Sequence, residues 1–458
     1  MRNVFMLSLL LGALLSACEP SDEIVPPVLI GEFETLQETD NPWPEALESA
    51  VMYEINIRQY SSSGHINEVT KDLPRLQELG VDILWLMPIH PISELNRKGE
   101  LGSYYSIQDY YGFNPEFGTI DDFDTFVETA HSLNMKVILD LVINHTGWDH
   151  EWITNHPDYY TQVDGEIVYP PGTDWTDVAD LDHSNQDLID ELVAMTSYWV
   201  REHNVDGYRA DVAGSVPNNV WRQIIPTLRA INPNVIMLAE DNSVFDWFDV
   251  FNLNYGGWSL TGNMKRIASG QANELYIRSY LEQMHSRYPV PSFPLLFTTN
   301  HDMNSWEGTV TEFYGDAYPL MRMLTFTLPG MPLLYNGQES ANEKQLAFFE
   351  KDLIYWGSYE ETTAIQDLIK LKDDNPALNA SNVFQSTYLI EDESRAIISF
   401  IRVSSDQQNN VLVVANLDDQ PLQARLHLGE FSGSWNESRL NEIHELELGP
   451  YEYKIYTR

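Results

Sequence analysis

The chain has a single cysteine, Cys18, among 458 residues. No intrachain disulfide can form, and no zinc site built on several thiolates. Basic residues are scarce as well: 26 Lys+Arg stand against 69 Asp+Glu, a formal net charge of −43. A field of that sign repels phosphate backbones and argues against nucleic acid as a partner. Beyond Cys18 no apolar run is long enough to form a transmembrane helix. Core material is plentiful. At 43% hydrophobic and 12% aromatic, the composition excludes a disordered or low-complexity chain. The length allows two or three domains, or one large barrel with additions. The acidic excess reads as the solvated surface of a secreted or salt-adapted protein.

The first residues read as a targeting segment. Arg2 precedes an apolar run from Val4 to Leu15, followed by Ser16, Ala17 and Cys18. That is the pattern of a secretory signal over residues 1–17. Leu15-Ser16-Ala17-Cys18 also resembles a bacterial lipobox, in which the cysteine becomes the lipidated first residue. The expectation is secretion across the inner membrane and anchoring at the cell envelope, by outer membrane or cell surface, through Cys18. An ordinary signal peptide with a chance cysteine is the alternative. Residues 18–42 are acidic and proline-bearing and read as a tether.

From residue 51 onward, apolar β-branched runs recur: Val51–Ile57, Val81–Pro88, Lys136–Ile143, Gly207–Val212, Val235–Ala239, Leu295–Thr299 and Met331–Tyr335. Most are near-continuously apolar, as strands buried on both faces should be. Helical patterns lie between them, such as Phe123, Phe126, Val127 and Ala130 within Asp121–Leu133, and Leu188, Ile189, Leu192, Met195 and Trp199 within Gln186–His203. With a weaker strand near Phe248–Leu253, the alternation predicts an α/β fold, a (β/α)8 TIM barrel over residues 43–379. Residues 146–185 have little helical periodicity and are too long for a simple loop, so they read as a small subdomain inserted after strand 3. Alternating strands from residue 380 predict a C-terminal all-β sandwich over 380–458.

In such a barrel, functional side chains sit at the C-terminal ends of strands. Strand 3 ends in Asp140, Asn144 and His145; strand 4 carries Arg209 and Asp211; strand 5 ends in Glu240 and Asp241; strand 7 leads to Asn300, His301 and Asp302. Asp211 and Glu240 are 29 residues apart, about one βα unit, and Glu240 and Asp302 are 62 apart, about two. Arg209 and Asp211 are two apart, so on a strand they point to one side, where a guanidinium keeps a carboxylate ionised. Several carboxylates gathered at one mouth suit glycoside hydrolysis. One attacks the anomeric carbon, a second protonates the leaving oxygen, and a third holds hydroxyls and stabilises positive charge on the ring. Any one of them alone would more ordinarily be a helix cap or an ion-pair partner.

These segments resemble glycoside hydrolase family 13, the α-amylase family. Asp140–His145, Gly207–Asp211, Glu240 and Asn300–Asp302 are similar to its first four conserved regions, in order. Val178–Asp182 resembles the short motif near the end of that family's inserted domain, and Gly102–Tyr110 with Pro115–Thr119 its stretch after strand 2. The resemblance runs from about residue 50 to the C-terminus. It implies Asp211 as nucleophile, Glu240 as general acid/base and Asp302 as the third carboxylate. It also implies Arg209 positioning Asp211, His145 and His301 hydrogen-bonding the sugar at the cleaved bond, and Tyr105 stacking on that sugar. Asp140 would support the site from below. An Asn like Asn144 and an Asp like Asp180 hold a structural Ca²⁺ in many members. A shortened insertion often goes with a lost site, so calcium stays open, and no organic cofactor is implied. Asp241-Asn242 departs from the family, where many α-amylases carry an aromatic two residues after the acid.

The resemblance implies a retaining glycosidase cleaving α-1,4-glucosidic bonds of starch-like α-glucans or maltooligosaccharides. A transglycosidase or cyclomaltodextrinase with the same residues is the nearest alternative. A non-catalytic, surface glucan-binding lipoprotein is the alternative from another class. Trp148, Trp152, Tyr159, Tyr160 and Trp175, in and near the insertion, are expected either as sugar platforms or as its core.

Overall fold

A computed structural model describes residues 25–30, 41, 43–242, 249–285, 288, 291–380, 387–392, 394–436 and 438–458. The signal segment, Cys18 and most of the tether lie outside them. Eight strands close into a parallel barrel: β1 (Met52–Ile55), β2 (Ile83–Leu86), β3 (Lys136–Leu141), β4 (Gly207–Ala210), β5 (Ile236–Ala239), β6 (Leu253–Asn254), β7 (Phe293–Leu296) and β8 (Met331–Tyr335). Each pairs with the next, and β8 returns to β1 with Leu333 opposite Met52. All eight are buried along nearly their whole length, which is why their sequences are runs and not alternations. Gly207 opens β4 because a Cβ there would stand 1.9 Å from the Ile236 carbonyl oxygen, at φ +157°.

Two strands depart from expectation. β7 was expected over Leu295–Thr299 and is Phe293–Leu296. β6 was expected near Phe248–Leu253 and is only Leu253–Asn254. Asp249 and Asn252 interrupt the apolar run, Asp249–Val250 form a turn, and Phe248 lies outside the described residues.

The helices between strands follow their sequence signals. α1 (Ile66–Leu79) ends at Gly80 in the left-handed conformation. α2 (Ile120–Ser132) starts at a capping box in which Thr119 and Asp122 satisfy each other's backbone N–H, and it buries Phe123, Phe126, Val127 and Ala130. α3 (Gln186–Glu202) is capped by Asn185 and buries the predicted Leu188, Ile189, Leu192, Met195 and Trp199. The insertion is rooted by an antiparallel pair, His145–Gly147 with Val178–Asp180.

The C-terminal region is strand-rich: β9 (Thr387–Leu389), β10 (Ile397–Val403), β11 (Asn410–Asn416), β12 (Leu422–His427), β13 (Ile443–Leu448) and β14 (Tyr453–Thr457). Ile398, Phe400, Val411 and Val413 join the barrel's core, whereas Ile401, Leu412 and Val414 pack with Leu426 and Trp435 on the other side. The two-residue period thus gives one sheet two apolar faces. The tether reading needs correcting at one point: Val28 and Leu29 pair with Leu389 and Tyr388 as an edge strand of this sheet. Both are β-formers next to an unpaired edge, so that short piece is ordered.

Candidate active site

The strands aim their last residues into one mouth, and Arg209 is its centre. Its guanidinium is fully buried. Nη1 donates to Asp140 at 2.8 Å and to Asp211 at 2.9 Å, Nη2 stands 3.0 Å from Glu240 Oε2, and Nε donates to the Tyr255 hydroxyl at 3.3 Å. One planar fork therefore serves three carboxylates from β3, β4 and the end of β5. Its charge is kept against the cost of burial by these neighbours.

Burial pushes all three carboxyls up, against the pull of Arg209: Asp140 to about 6, and Asp211 and Glu240 to about 7. Each negative neighbour raises the others, so the cluster takes up a proton near neutrality. Glu240 Oε2 also accepts the Val212 N–H at 2.6 Å. Val212 reaches that position at φ +36°, a left-handed conformation that a β-branched residue adopts only under constraint.

A second chain of contacts runs around the rim. His301 is buried, and its Nδ1 meets Glu54 Oε1, while its backbone N–H donates to Glu54 Oε2 at 3.3 Å. His301 Nε2 donates to the Tyr105 hydroxyl at 2.8 Å and lies 3.4 Å from Asp302 Oδ1. The Tyr105 hydroxyl donates on to Asp140 at 3.1 Å, which also accepts from Trp85 Nε1 at 3.2 Å. Burial alone would strip the charge from His301, but Asp302 and Glu54 outweigh it and hold the ring at about 9. His145, equally buried, is pushed down to about 4, since the pull of Asp177 is too weak to offset burial.

Asp211, Glu240, Asp302, Tyr105, His145 and His301 all line one cavity of about 570 Å³. Arg209 and Asp140 lie just beneath it, fully buried. The remaining wall was not anticipated: Lys98, Asp177, Trp306, Phe348 and Phe349. Glu54 was also missed, although an acid inside the apolar run of strand 1 is a readable signal. Lys98 and the Phe348–Phe349 pair sit in loops whose sequence carries no period, so nothing marked them.

Trp175 lines the cavity and meets His145 edge-on at 5.6 Å. Trp152, Tyr159 and Tyr160 are buried, and Trp152 packs on Tyr110 and Tyr159. These three form the insertion's core and are no platform. Trp148 is partly buried, its Nε1 donating to the Thr176 carbonyl at 3.0 Å. Asn144 and Asp180 adjoin at the insertion's root, away from the cavity lining: the Leu181 N–H donates to the Asn144 carbonyl at 3.1 Å, and Asp180 pairs with His145. No helix of the described residues is long and apolar enough to cross a membrane.

Residues 39–175 match the family model of the alpha-amylase catalytic domain. The chain is similar over that stretch to an alpha-amylase catalytic domain. It is 28% identical to Alpha-amylase 3 of Dictyoglomus thermophilum over 66% of each chain. It is 25% identical to an alpha-1,4-glucan:maltose-1-phosphate maltosyltransferase of Picrophilus torridus, over 86% of this chain and 66% of that one. In three dimensions it is similar to the crystal structure of an alpha-amylase from Lactobacillus plantarum, with a TM-score of 0.78 and 29% identity over 90% of this chain and 99% of that one. The chain spans 58–66% of the length of the first curated relatives it matches.

Proposed function

We propose that this protein is a retaining glycosidase that cleaves α-1,4 bonds of α-glucans or maltooligosaccharides. The observation that carries the reading is Arg209 bridging Asp211 and Glu240. Adjacent nitrogens of one guanidinium lie within 3.0 Å of both carboxylates, which brings a nucleophile and an acid to the same cavity, as a covalent mechanism needs.

Asp211 and Glu240 both lie near 7 and share one proton; with that proton on Glu240, Asp211 is the charged partner beside Arg209 and attacks the anomeric carbon. Glu240, raised to about 7, gives its proton to the leaving oxygen. The C–O bond breaks, and a glycosyl ester forms on Asp211. Glu240, now a carboxylate, takes a proton from the water that attacks the ester, which restores both groups. Asp302 and the charged His301 face the same ring and hold its hydroxyls, while Tyr105 offers a flat surface. Asp211→Asn should lower turnover by about 10⁴-fold or more in a protein that still folds, as losses of a nucleophile generally do. A mechanism-based fluorosugar should leave its adduct on Asp211 by peptide mass spectrometry. A fully active Asn variant would overturn the assignment.

Transglycosylation is the second reading, favoured by a hollow on the far side of Glu240 where a sugar acceptor could sit in place of water. New linkages measured against released reducing ends separate the two. A pure glucan binder has no need of a guanidinium shared among three carboxylates. It would hold insoluble starch without releasing sugar.

Two further parts of the reading rest on sequence. Attachment to the envelope through a lipidated Cys18 predicts an acylated N-terminal peptide by mass spectrometry, and an unmodified one would refute it. For calcium, Asn144 and Asp180 supply two side-chain oxygens of the six to eight that the ion takes. Among the described residues no cluster of three or more His, Cys, Asp or Glu side chains could hold a metal. The side chains present do not make a calcium shell by themselves, and no step is routed through the ion. A chelator that lowers the melting temperature by several degrees would restore the calcium reading.

A further inference from the structure

We propose that the cavity beside Asp211 is closed at its far end, so that the enzyme works from the non-reducing ends of glucan chains, and that Lys98 forms the closure. The inference rests on the hydrolase reading and adds which part of a chain the site accepts.

The direction of the substrate follows from the acid. Glu240 protonates the leaving oxygen, so the leaving part of the chain lies beyond Glu240. Glu240 and Val212 border two hollows. The first is the 570 Å³ cavity, which alone contains Tyr105, His145, His301 and Asp211. The second is shallower and is lined by Gly214, Ser215, Asp241, Asn242, Tyr255 and Trp258. The sugar that bonds to Asp211 therefore sits in the first hollow, and the leaving part runs out over the second. In an α-1,4 chain, everything on the side of the attacked sugar ends in the non-reducing terminus. The first hollow must hold that whole portion or let it pass through.

One tied loop, which brings Lys98 to the cavity lining, forms its far wall. The loop of residues 93–104 crosses from the insertion to the loop after β8 and is tied at both ends. On the insertion side, Lys98 Nζ stands 2.9 Å from Asp177 Oδ1 and donates to the Asp174 carbonyl at 3.0 Å. The N–H groups of Glu94 and Leu95 donate to Asp149 at 2.8 and 3.3 Å. On the other side, the Glu100 N–H donates to Glu350 at 3.0 Å and the Leu101 N–H to the Phe349 carbonyl at 3.0 Å. Beneath, the buried Arg58 donates to the carbonyls of Leu101 and Gly102 at 3.1 and 3.0 Å. Asp177 is buried and Lys98 half-buried, so the ion pair that seals the gap is shielded from solvent. Among the ties named, that of Lys98 alone uses a side chain of the loop itself; the others hold the loop by its backbone.

The test compares two maltoheptaosides labelled at the reducing end, with products resolved by chromatography: one has a free non-reducing end and one has that end blocked by a 4,6-acetal. The intact protein should cleave the free substrate with a kcat/KM at least about tenfold higher, the scale on which a closed pocket rejects an added group. Lys98→Ala should narrow that ratio several-fold and lengthen the products released from soluble starch, and Asp177→Asn should act in the same direction. Equal cleavage of the two substrates by the intact protein would overturn the inference while leaving the hydrolase reading in place. Cleavage of neither would overturn the hydrolase reading and this inference together. A ratio unchanged in a folded Lys98→Ala variant would remove Lys98 from its assigned role.

Discussion

On the β3 rim of the cavity His145 is 3% exposed, and on the β7 rim His301 is 2% exposed. Burial by itself drives both rings toward neutrality. His145 follows it and is held at about 4, donating within its own surroundings to the Tyr105 backbone. His301 goes the other way, to about 9, because Glu54 reaches it from β1 and Asp302 from its own loop. The two rims show that burial sets the cost of a charge while carboxylates within contact decide whether the charge is kept. One cavity then has a neutral imidazole on one side and, on the other, a cationic ring whose Nε2 faces Tyr105 and Asp302.

The strongest way to break this contrast is to remove the partner. Glu54→Leu would leave His301 buried without its buried counter-charge and should cost about 3–5 kcal/mol of stability, as breaking a buried pair usually does. Denaturant unfolding measures the loss, and a change below about 1 kcal/mol, the range of exposed pairs, would show that Glu54 contributes little. Glu54→Gln should keep more of the fold and lower the His301 titration midpoint, read by NMR.

The two histidines should also bend the stability curve in opposite directions. His301 has a raised folded value, so its contribution is fully present below the ordinary value of 6.5 and is lost as pH rises through about 9. His145 has a lowered one, so stability falls as pH drops from 6.5 toward 4, while the unfolded chain takes up a proton that the folded ring refuses. His301→Gln should flatten the alkaline slope and leave the acid slope in place. A loss of both slopes would mean that the two rings are not independent.

The smallest expected effect concerns the aromatics of the insertion. Trp175→Ala removes a cavity surface and should raise KM about three- to tenfold, the worth of one ring contact of roughly 1 kcal/mol. Trp152→Leu sits in the insertion's core and should lower the melting temperature with KM unchanged. The same shift in both variants would erase the distinction drawn between them.

Much of this arrangement was legible in advance. The barrel strands stood out because a strand buried on both faces is an apolar run, and Met331–Tyr335 matches its predicted bounds at both ends. The helices of 120–132 and 186–202 were readable from their period and fall within a residue of expectation. β6 was misplaced because two paired residues leave too short a signal. Asp211, Glu240, Asp302, Arg209, His145 and His301 were found because each lies at the end of a readable strand. Trp152, Tyr159 and Tyr160 could not be told from Trp175, since ring chemistry is the same in a core and in a cleft.

The sequence by itself determined the barrel, its strand-rich C-terminal region, and most of the charged groups at the mouth, Glu54, Lys98 and Asp177 excepted. Those depend on local period and on spacing along the chain. Only the tertiary structure decided which histidine is charged, that Glu54 faces His301 across 247 residues of chain, and that Lys98 meets Asp177 at the cavity wall. Each of those depends on distance and burial between residues far apart in sequence. Electrostatic energy is set by separation in space and by the surrounding medium, and neither is written in the order of the residues.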